Sequence, residues 1–115
     1  MIITIPNYRA KSRNDTAYSH WTKYRNARDE IAGLMRAYVE KVEEIDPAYV
    51  TITAYYKGKR HVDTSNIDTK ILLDALMHIG IIKDDDAYHN PEIKVRVVPE
   101  SGKDEVTVEI IYLMF

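Results

Sequence analysis

Residues 92–112 read EIKVRVVPESGKDEVTVEIIY. Ile93, Val95 and Val97 alternate with Glu92, Lys94 and Arg96. Val106, Val108 and Ile110 alternate with Glu105, Thr107 and Glu109. A period of two puts one apolar face and one polar face on a strand. Pro99, Gly102 and polar neighbours separate the two runs, so the stretch predicts a β-hairpin with a longer loop, strands 92–98 and 105–112. Upstream, YVTITAYY at 49–56 is β-branched and aromatic and reads as a third strand. Ile2-Ile3-Thr4-Ile5 reads as a short strand stopped by Pro6, which cannot donate to a ladder.

Two helices fill the intervals. Over 19–45 apolar side chains recur at Trp21, Tyr24, Ile31, Leu34, Met35, Tyr38, Val42 and Ile45, with Ser19 as N-cap and Pro47 as the stop. Over 66–79 the stripe is Leu72, Leu73, Leu76 and Ile79. Ser65 and Asp68 suggest a capping box, and Gly80 stands where a C′ glycine would. Residues 7–19 and 57–60 read as polar or basic loops. The order β-α-β-α-β-β describes a small α+β domain, one mixed sheet with two helices packed on it and its last two strands antiparallel. The 115 residues suit a single domain, 1–115.

Composition narrows the function classes. No cysteine is present, which excludes a disulfide scaffold, a zinc–thiolate site and a cysteine nucleophile, and fits a cytoplasmic setting. No apolar run approaches the ~18–20 residues of a membrane span, and the first residues have the wrong order and length for a secretory signal. The net charge of −2 hides an asymmetry. Residues 1–60 carry 11 Lys+Arg against 7 Asp+Glu, net +4, and residues 61–115 carry 5 against 11, net −6. This is either a basic binding face beside an acidic cluster or two differently solvated surfaces.

The densest polar stretch is HVDTSNIDTK at 61–70, followed by a helix and then IIKDDD. Asp63 precedes a helix N-terminus. Asn66, Lys70 and Asp74 recur every four residues, as one polar stripe. Asp84, Asp85 and Asp86 follow the helix. Like charges raise one another's pKa, so the run belongs in a solvated turn or beside a hard cation such as Mg²⁺. An EF-hand reading from Asp63 fails, because Ile67 and Asp68 fall where an oxygen ligand and a glycine are needed. The histidines His20, His61, His78 and His89 show no ligand spacing, although His61 stands close to Asp63. The cations Arg9, Lys11, Arg13, Lys57, Lys59 and Arg60 cluster in two loops, as a phosphate-tracking surface requires. Tyr55 and Tyr56 point to opposite faces; packing is the favoured reading, stacking on a base the alternative.

The ordered set Lys59-Arg60-His61-Val62-Asp63-Thr64-Ser65-Asn66, Lys70, Asp74-Ala75-Leu76, Gly80 and Asp84-Asp85 resembles the RusA family of Holliday junction resolvases, often carried by phages and prophages. The similarity extends to chain length, the N-terminal strand and proline, and the long first helix. It implies a RusA-like fold and a Mg²⁺-dependent endodeoxyribonuclease (Mn²⁺ being a second candidate) that nicks four-way junctions in the cytoplasm of a bacterial host. It also implies a homodimer with one site per subunit. Asp63 and Asp85, helped by Asp84, would hold the metal, Lys70 would contact the phosphate, and Ser65 and Asn66 would support them. Two departures stand out. Ser65 replaces the second aspartate of the D-x-D-N signature, and one extra residue separates Asn66 from Lys70. The first removes a charged ligand and could shift coordination to Asp84, Asp86 or Asp68. A catalytically weak or inactive branched-DNA-binding module of the same fold is therefore the alternative.

Overall fold

A computed structural model describes residues 1–13, 20–59 and 64–112. Its elements are β1 (Ile2–Pro6), α1 (Trp21–Tyr38), β2 (Ala48–Tyr55), a 3₁₀ turn (Thr64–Asn66), α2 (Thr69–His78), β3 (Glu92–Val98) and β4 (Glu105–Tyr112). The expected β-α-β-α-β-β order, mixed sheet and two packed helices are present.

The sheet order is β1-β4-β2-β3, and this corrects the hairpin. β3 and β4 run in opposite directions but do not pair. β2 lies between them, parallel to β3 with Ile52 opposite Val95, and antiparallel to β4 with Ile52 opposite Val108. β2 is the most apolar strand, with Ala48, Val50, Ile52 and Ala54 all at 1% exposure or less, so it belongs where both neighbours shield it. β3 carries Glu92, Lys94 and Arg96 on one face and suits an edge, where charge blocks further pairing. The 99–104 loop vaults over the end of β2. Ser101 N–H donates to the Tyr56 carbonyl at 3.0 Å, and Glu100 N–H to that of Gly58 at 3.1 Å. A six-residue connection reaches across an intervening strand in a way that a two-residue turn cannot.

One sheet face forms the core floor. Ile3 and Ile5 of β1 stand opposite Val108 and Val106 of β4, and Ile110, Val50 and Ile52 continue the layer. Ile31, Ala32 and Met35 of α1 and Ile71, Leu72, Ala75 and Leu76 of α2 cover it. Burying each large aliphatic side chain contributes about 1.5–3 kcal/mol. The opposite face presents Thr4, Thr51, Thr107 and Glu109 without a covering helix.

Both helices are shorter than their periodicity predicts. α1 ends at Tyr38 rather than near Ile45, with Val39 extended at φ −83°, ψ 137°. The following VEKVEEI places Val39 and Val42, poor helix formers, and three glutamates at the carbonyl end of the helix dipole. Leaving the helix also carries Ile45 into the core, where its N–H donates to the Ile81 carbonyl at 2.8 Å. Trp21, Tyr38 and Val42, expected on the buried stripe, are 62%, 50% and 42% exposed. The 18-residue α1 is about 27 Å long and the 10-residue α2 about 15 Å, so the C-terminal end of α1, beyond the Asp29–His78 contact, overhangs α2.

α2 starts at Thr69, not at 66, and its N-cap is Asp68 rather than Ser65. The Asp68 Oδ1 accepts the Ile71 N–H at 3.1 Å, and a carboxylate there also complements the dipole. Asn66 therefore lies in the 3₁₀ turn, off the polar stripe expected with Lys70 and Asp74. The C-terminus closes as expected. Gly80, at φ +82°, donates to the Met77 carbonyl, and Ile81 N–H donates to that of Leu76 at 3.0 Å, which is the Schellman arrangement. A Cβ on Gly80 would meet nothing within 4 Å, so only backbone strain opposes one. Gly80→Ala should lower the unfolding free energy in urea by about 1 kcal/mol without changing activity.

Candidate functional site

Chain connectivity brings several expected site residues to one end of the sheet. β1 and β2 finish there and β4 begins there. Asp104 organises the first part. Its backbone carbonyl accepts the Tyr8 N–H at 3.1 Å, its Oδ1 accepts the Lys57 N–H at 2.9 Å, and its other oxygen is 3.8 Å from Arg9. Arg9, Lys57 and Lys103 thereby line an open concavity of about 520 Å³. Lys59 lies 3.8 Å from Glu100. Lys103 sits 4.6 Å over the Tyr55 ring and 3.0 Å from Glu105. Tyr56 is buried, so the packing reading holds for it, while Tyr55 serves as the base of a cation.

The segment after β1 continues to the start of α2. Ser12 bridges to Ile67, and the Lys11 carbonyl accepts the Asp68 N–H at 2.9 Å. Arg13, Ser65 and Lys70 then line a second open concavity, of about 430 Å³. Lys11, Lys57 and Lys70 make no ion pair among the described residues. The Lys70–Asp74 pair that their spacing allows does not form, because Asp74 is engaged elsewhere. Its Oδ2 accepts a hydrogen bond from the Tyr24 hydroxyl. Burial, reinforced by that bond, pushes the Tyr24 pKa up and keeps it a donor. Burial does the same to Tyr8, helped by the charges of Glu30 and Asp68, and its hydroxyl has no hydrogen-bond partner among the described residues.

The acidic run is elsewhere. Asp84, Asp85 and Asp86 lie past the C-terminus of α2, tied to the start of β2. Asp86 Oδ1 accepts the N–H groups of Tyr88 and His89 at 2.9 and 3.1 Å. Asp84 Oδ1 accepts the Asp85 N–H at 2.7 Å, and the Asp84 carbonyl accepts from the Asn90 side chain. His89 anchors the loop through Asp46 at 2.7 Å and through its own carbonyl, which accepts the Ala48 N–H. Asp84 and Asp85 follow the C-terminus of α2, and Lys70 lies in its first turn. Asp63, Arg60 and His61 lie outside the described residues. Among the described residues no three His, Cys, Asp or Glu side chains converge on a metal position. No helix among the described residues is long and apolar enough to cross a membrane.

Lys103, Asp104, the Tyr24–Asp74 bond and the Asp46–His89 pair are absent from the sequence reading. Each joins segments far apart in the chain, and no local spacing announces them. No family model matches this chain, and no curated protein matches it.

The Asp46–His89 pair carries a pH dependence. The hydrogen bond that the His89 ring donates to Asp46 holds the His89 pKa above the ordinary 6.5, with the Asp46 and Asp86 charges adding to it. Because the folded pKa is the higher one, the stabilisation is complete below about pH 6.5 and is lost as pH rises through the folded value. Asp46→Asn should return the His89 titration, followed by NMR, towards that ordinary value. It should also flatten the fall of Tm as the pH rises above about 6.5.

Proposed function

We propose that this chain binds branched DNA in the manner of a RusA-like junction endonuclease. The observation that carries the reading is the gathering of cations from separate segments around two open concavities. Arg9 of the N-terminal segment, Lys57 at the exit of β2 and Lys103 of the β3–β4 loop line one at the end of the sheet, and Arg13 and Lys70 line the other beside Val95 of β3. Phosphate neutralisation dominates affinity for DNA, and two separate cationic concavities suit a backbone that changes direction. Assembly as a homodimer would match two equivalent sites to a two-fold junction.

On this reading the ordered motif supports endonuclease chemistry, with Asp63, Asp85 and Asp84 as the proposed metal carboxylates. A bound Mg²⁺ or Mn²⁺ would supply Lewis acidity towards the scissile phosphate. Lys70 would hold a phosphate oxygen and offset its developing charge. A second reading, a catalytically weak or inactive branched-DNA-binding module, is favoured by Ser65 in place of an acidic ligand.

Incubation with a synthetic four-way junction, with and without Mg²⁺, separates the readings. Paired nicks that need Mg²⁺ support the endonuclease, bound but uncut DNA supports the module, and neither binding nor cutting rejects both. If the chain cuts, Lys70→Ala should slow cleavage at least tenfold while changing junction affinity less than about twofold. Lys57→Ala and Lys11→Ala should each weaken binding and reduce the slope of log K against log salt by about 0.9.

A further inference from the structure

We propose that Trp21 is a stacking platform for an unpaired DNA base; the inference rests on the DNA-binding reading above. Trp21 opens α1 and is 62% exposed. Its ring is backed by Tyr24, with centroids 6.0 Å apart and planes 19° from parallel. Tyr24 is itself held, since its hydroxyl donates to Asp74 of α2. The indole is therefore braced from behind and largely open to solvent, the arrangement a second flat π-system needs.

Its position suits nucleic acid. The contacts Tyr24 to Asp74 and Asp29 to His78 (3.8 Å) ascend together, so α1 and α2 run in the same sense where they touch. Trp21 lies one turn before Tyr24, and Lys70 one turn before Asp74. Both therefore stand at the same end of the helix pair, where Lys70 lines its concavity. Arg25 follows Trp21 by four residues, on the same helix face, and is exposed. Neither Arg25 nor Lys70 makes an ion pair among the described residues. An open aromatic ring flanked by uncompensated cations binds single-stranded nucleic acid by combining stacking with phosphate attraction. A protein-docking patch needs contiguous apolar surface. The other exposed aromatic of α1, Tyr38, is about 26 Å further along the helix and on another face.

Trp21 is the single tryptophan of the chain, so its emission reports this one place. The full chain is titrated with a fluorescein-labelled four-way junction carrying unpaired thymines and, separately, with a fully paired linear duplex. Anisotropy follows binding and tryptophan emission follows stacking. The expected result is strong quenching by the DNA with unpaired bases and little by the duplex. Trp21→Ala should weaken binding to the former roughly fivefold or more, and Trp21→Phe should restore most of it. Binding without quenching, at an affinity unchanged in Trp21→Ala, overturns the platform and leaves the DNA-binding reading standing. Absence of binding to either DNA removes that reading and the platform with it. Emission that shifts with protein concentration alone, and is then insensitive to DNA, assigns the ring to a contact between copies and overturns the proposal.

Discussion

The parallel pairing of β2 with β3 constrains everything else in this molecule. Parallel neighbours cannot be joined by a tight turn, and the chain must return the length of the sheet before the second strand begins. α2 is that return. Its N-terminus, with Ser65, Asn66 and Lys70 around it, is delivered beside Val95 of β3. Its C-terminus, with Gly80 and the Asp84–Asp86 run beyond it, is delivered to the end where β3 starts. Residues that look adjacent along the sequence are thus sorted to opposite ends of a helix.

The same pairing sets the electrostatics. With β2 inserted between β3 and β4, the 99–104 loop must cross the end of β2, and this carries Lys103 and Asp104 to the segment leaving β1. Asp104 then holds the Tyr8 backbone with its carbonyl and the Lys57 backbone with its carboxylate, and faces Arg9, so one residue organises a mainly cationic surface. At the other end Asp84 and Asp86 accept backbone N–H groups, and Asp46 pairs with His89. The charge asymmetry between the halves of the chain thereby becomes a separation in space.

Helix pairing adds the aromatic element. Tyr24 is pulled into the α1–α2 contact by Asp74, while Trp21, one turn earlier, stacks on Tyr24 and is left exposed.

Local patterning by itself determined the element types and most strand boundaries. Alternation along 92–98 and 105–112, the β-branched run near 49–56 and the Gly80 stop all depend on side-chain faces or backbone dihedrals, which are properties of a few consecutive residues. Composition and ordered motif singled out Arg9, Lys57 and Lys70, charged residues that line the two open concavities. Tertiary structure alone decided which strands pair, where α1 stops and that Asp68 rather than Ser65 caps α2. Those outcomes turn on which apolar face finds cover and which carbonyl meets which amide across long intervals of chain. Period two or period 3.6 says which side of an element is apolar, but not which other element will bury it.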